Sequence, residues 1–110
     1  MALDVGSLAS QMLGVALPLL QKDAQDAKSF ATLEFTKIAQ TIASIGAQLA
    51  AGEISQEQAG LYLDMQKNAS QTVLLSLEGL GLLAVESAIN AALGVIKTTV
   101  NTAVGFALIA

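Results

Sequence analysis

The sequence contains no cysteine, no histidine, no tryptophan and no arginine, a single proline and a single tyrosine. Without cysteine and histidine there is no zinc finger, iron–sulfur cluster, haem ligation or thiol nucleophile. A Ser–His–Asp arrangement is excluded because no imidazole exists to take the proton. The lack of cysteine fits any redox compartment. Five lysines without arginine, in a chain of net charge −4, speak against nucleic acid, since phosphate backbones attract basic surfaces and bidentate base reading relies on arginine. No GxxxxGK[ST] loop occurs, and Gly79-Leu80-Gly81 is followed by Leu82, Leu83 and Ala84, so GxGxxG fails at its third glycine.

Charge is also scarce. Only 13% of residues are charged, against about 25% in ordinary globular chains. Hydrophobic residues make up 54% and the mean hydropathy is +0.62, which excludes a disordered chain. A di-metal bundle would need Glu-x-x-His pairs, and the nine carboxylates have no histidine beside them. Glu78 and Glu86 lie about 80° apart on a helix, which reads as a solvated edge, with a proton or cation relay as the sharper alternative. No catalytic residue, cofactor, metal or small-molecule substrate is indicated, and the chain reads as a non-enzyme.

What remains is helical. At 110 residues the chain makes one domain, with its charge concentrated in the middle: residues 22–67 hold ten of fourteen charged groups. Two apolar arms flank that middle. In the N-terminal arm Val5, Leu8, Met12, Val15 and Leu19 recur at helical spacing, with Asp4 placed to cap the first turn. Pro18 predicts a break near Leu17, giving a helix over 1–17. The acidic start, Met1-Ala2-Leu3-Asp4, argues against a signal peptide.

A second helix is expected over 19–51. Ala31, Phe35, Ile38, Ile42, Ile45 and Leu49 follow a heptad, coiled-coil-like seam, read here as an assembly seam. Gly52-Glu53-Ile54-Ser55 forms the turn: glycine suits a left-handed helix C-cap, and Ser55 with Gln58 makes a capping box. Helices joined so briefly run antiparallel. A long helix over 56–108 follows, with a kink at 79–81, where Gly79 and Gly81 weaken it.

In that last helix Leu82, Val85, Ile89, Leu93, Ile96 and Val100 form an apolar association face, and Glu86, Asn90, Gly94, Lys97 and Asn101 a narrow stripe beside it. Including the flanking alanines, the apolar arc covers about 200°, more than one partner helix hides. Exposing six such side chains would forgo on the order of 10 kcal/mol, comparable to a whole domain's stability of about 5–15 kcal/mol. Association therefore looks close to obligatory. Small residues at Ala84, Ala88 and Ala92, and at Ala39, Ala43 and Ala47, suit close helix approach.

The sequence thus predicts an all-α chain: a long antiparallel helical hairpin with a charged tip at 53–57. Apolar N- and C-terminal arms emerge together at its other end and assemble into an oligomeric bundle. The first functional reading is a self-assembling, membrane-associated conduit or pore component, with Glu86, Asn90, Lys97 and Asn101 lining a wet lumen. The alternative is a soluble structural oligomer of the scaffold, shell or virion type, its arms buried between subunits. A carrier of small hydrophobic molecules is the third. The implied partners are further copies of the chain and a lipid membrane.

Overall fold

Asp4 starts the first helix: its Oδ1 accepts from the backbone N–H of Gly6 at 3.0 Å and of Ser7 at 3.4 Å, satisfying amides that a helix N-terminus leaves open. The computed structural model describes residues 3–20, 25–77 and 80–110. Four helices lie among them: α1 (Val5–Leu20), α2 (Gln25–Ala50), α3 (Gln56–Leu75) and α4 (Leu82–Val104). The described residues are 83% helical and hold no strand, so the chain is all-α.

Pro18 lies inside α1, so the break expected near Leu17 does not occur. A proline deletes one bond, to the carbonyl of the residue four back, and here that residue is Gly14, exposed to water. The buried row Leu8, Met12, Ala16, Leu20 runs past the proline and holds the last turn in place. The helix expected over 19–51 is correspondingly divided: Leu20 closes α1 and α2 starts at Gln25. The junction at 21–24 lies outside the described residues.

α2 ends as its sequence predicts. Gly52 has φ +73°, its N–H donates to Leu49 O at 3.1 Å, and the N–H of Glu53 donates to Gln48 O at 2.9 Å; this pairing closes a helix at a left-handed residue. Ser55 then caps α3, its Oγ accepting from Gln58 N at 3.1 Å while Gln58 Oε1 accepts from Ser55 N at 2.9 Å. Across this turn Thr41 Oγ1 donates to Gln66 Oε1 at 3.1 Å, and Gln66 Nε2 donates to the buried Ser70 Oγ at 3.0 Å. α2 and α3 therefore touch well beyond the turn.

The long helix expected over 56–108 is two helices. α3 stops at Leu75 and α4 starts after Gly81; Gly79, part of the expected kink, lies outside the described residues. Gly105 ends α4 with φ +85°, three residues before the expected limit, and the chain turns back.

The arms do not extend away from the α2–α3 pair. A methyl placed on Gly46 would sit 3.4 Å from Leu3 Cδ1 and 4.0 Å from Val104 Cγ1, so the outer ends of α1 and α4 meet near the α2–α3 turn. A 26-residue helix is ~39 Å long, and the whole molecule measures 42 × 22 × 19 Å. All four helices must lie alongside one another. The radius of gyration, 13.7 Å, matches the ~13 Å of a compact chain this size.

The reason is sequence-encoded. α1 and α4 pack intimately, with Ala9, Ala16, Ala88 and Ala92 buried to let them approach, and α1 also packs on α2. Phe35, Ile38, Ile42 and Ile45 of the expected assembly seam join Met12, Ile89 and Ile96 in one buried cluster. The seam belongs to the interior of a single copy, with Leu49 half-buried at its end. Among the described residues Glu34 is the one buried charge, 2% exposed, and Lys37 Nζ reaches its Oε2 at 3.1 Å from the surface.

Candidate functional surfaces and an open groove

The apolar face expected to need partners is largely covered from within. Val85, Ile89, Leu93, Ile96 and Val100 are all buried, whereas Leu82 is 53% exposed. A single copy hides most of this face, because α1, an apolar helix distant in sequence, covers most of the arc.

The polar stripe is divided too. Glu86, Asn90 and Lys97 face solvent and enclose no lumen within one copy. Asn101 turns inward. Its Nδ2 donates to Ile109 O and its Oδ1 accepts from Ile109 N, both at 2.9 Å. One side-chain amide thus grips one residue's main chain in both directions, seating Leu108 and Ile109 against the core. Replacing Asn101 with alanine leaves both Ile109 groups without protein partners, at about 1 kcal/mol per bond. Exchange of the Ile109 amide should accelerate roughly tenfold or more by NMR hydrogen exchange, while far-UV circular dichroism stays unchanged.

That folded-back segment walls one end of a groove between α3 and α4. These helices pack much less closely than α1 does with α4, and the gap encloses about 370 Å³. Leu63 and Leu93 lie at its base, with Asp64, Lys67 and Asn90 also lining it. Gly60 and Gly94 line it from opposite helices. A methyl at either glycine would meet nothing within 4 Å, and neither has a positive φ. Each nevertheless costs its helix roughly 1 kcal/mol relative to alanine. Neither close packing nor backbone conformation requires them.

A different surface lies on the outside of α2 and α3. Of nine large hydrophobic side chains exposed among the described residues, five are here: Phe30, Leu33, Leu61, Tyr62 and Met65. Leu61 and Met65 are 61% and 66% exposed. Tyr62 also lines a shallow cleft with Lys37, Gln40, Thr41 and Gln66. Sequence reasoning passed over this strip, because α3 alternates its apolar residues between the core (Ala59, Leu63) and the outside (Leu61, Met65), blurring the period. The signal that could have found it is the i, i+4 pair Leu61 and Met65 flanking Tyr62.

Among the described residues no cluster of carboxylates is arranged to hold a metal ion. α4 has the length and apolarity to cross a bilayer, being ~34 Å long against a hydrocarbon core of ~30 Å. No family model matches the chain, and neither the curated proteins nor the solved structures contain a significant match to it.

Proposed function

We propose that this chain is a non-enzymatic structural protein: a helical bundle that self-associates in water through the outer face of α2 and α3, which act as an antiparallel hairpin. The observation that carries the reading is the strip Phe30, Leu33, Leu61, Tyr62 and Met65. The chain hides its α4 face against α1 yet leaves these side chains wet, Leu61, Tyr62 and Met65 on neighbouring turns of α3, and exposed apolar side chains grouped in this way mark interaction surfaces. Tyrosine and methionine are enriched at such contacts.

Sedimentation velocity tests it. The chain should run as one discrete oligomer at micromolar concentration. Leu61→Asn with Met65→Lys should convert it to a monomer of unchanged helicity, because neither side chain contributes to the core. A wild-type monomer at hundreds of micromolar would defeat the reading.

A second reading keeps the membrane in view. α4 is long and apolar enough to span, and Leu83, 80% exposed, stands with Leu82 at its leading end. On this reading α1 and α4 part at the bilayer and Glu86, Asn90 and Lys97 face a lumen between copies. Flotation with liposomes separates the two: an assembly protein stays with the aqueous fraction.

A further inference from the structure

The geometry points to the α3–α4 groove as a binding site for a small anionic amphiphile, a carboxylate carried on a short aliphatic chain. Its volume, about 370 Å³, is at the lower end of small-molecule sites (roughly 300–1,000 Å³). Leu63, Leu93, Leu108 and Ile109 offer an apolar bed, each less than one-tenth exposed.

The head group follows from charge. Lys67 is half-buried, and among the described residues no carboxylate comes within ion-pair distance of it. Asp64, one turn earlier, is exposed where Lys67 is half-buried, so of the two charged side chains lining the groove, which Ala110 also lines, the cation lies further in. Asn90, which lines the groove from α4, adds an amide donor. A carboxylate at the mouth meets an ammonium and an amide while its chain runs over leucine.

The two glycines make the argument independent of the charge. Gly60 and Gly94 line the gap from facing helices, and a methyl at either would stand in open space, so alanine at both would take up room that an occupant needs. This inference stands apart from the assembly reading, since the groove and the α2–α3 strip share no residue.

The test is an amide-resolved NMR titration of the whole chain with decanoate below its micellar range, beside decanol and decyltrimethylammonium. Decanoate should saturate at one equivalent and shift Gly60, Leu63, Gly94 and Ile109. Lys67→Gln should weaken decanoate about tenfold and leave decanol unchanged. Gly60→Ala with Gly94→Ala should raise the melting temperature, showing the fold intact, and lose both ligands. Three results would overturn the site: no saturation, shifts centred on Tyr62 and Met65, or full affinity in the doubly substituted chain.

Discussion

Replacing Ile42 with aspartate is expected to unfold the chain rather than merely separate its copies. Ile42 is 0% exposed and lies in the same buried cluster as Met12, Phe35 and Ile89. Removing a buried isoleucine costs about 2–5 kcal/mol on its own. A carboxylate placed there is desolvated without a cation to compensate it, which adds several kcal/mol more. Together these approach the roughly 5–15 kcal/mol that holds a domain. The variant should lose most of its helical dichroism at 25 °C, or melt some 20 °C or more below the parent. Ala47→Asp, on the exposed side of the same helix, should cost only about 1 kcal/mol, from aspartate's lower helix propensity and its negative charge near the helix C-terminus. Were the Ala31–Leu49 row a contact only between copies, Ile42→Asp would change the sedimentation coefficient and leave the dichroism intact.

The contrast between that row and the α4 face separates what is legible in a sequence from what is not. The α2 heptad, the Gly52 cap and the Ser55–Gln58 box are local: spacing and side-chain chemistry within a few residues determine them, and the structure forms each where expected. What covers a given face is non-local. The wide arc on α4 is real, but its occupant, α1, lies more than sixty residues away in sequence, and periodicity carries no information about that pairing. Pro18 misleads for a related reason. Its local cost is that of one hydrogen bond near a helix end, and burial of Ala16 and Leu20 on either side outweighs it. Asn101 shows the same limit at a single residue. Placed by the helical wheel on a solvent stripe, it is drawn inward by a chain reversal at Gly105 that the wheel does not represent.

Deleting residues 1–20 should restore the behaviour that the composition alone predicts. α1 is the main cover of the α4 face and also packs on α2. Its loss would bare much of Val85, Ile89, Leu93, Ile96 and Val100, together with part of the α2 side of the same buried cluster. At about 1.5–3 kcal/mol for each large aliphatic side chain, the lost burial is on the order of 10 kcal/mol, as large as the stability of the domain. No lone soluble fold survives that, so the truncated chain must aggregate or enter an apolar phase. In flotation with phosphatidylcholine vesicles it should partition to the lipid fraction at least tenfold more than the full chain, at equal concentration. The direction of this difference is what matters. If the full chain floats as strongly as the truncated one, α1 gives α4 no effective shelter, the helices part readily at a bilayer, and the conduit reading displaces the soluble assembly. If only the truncated chain floats, the greasiness of this sequence is an interior property, consumed by packing α1 on α4, and the strip on α2 and α3 is left as the surface through which copies meet.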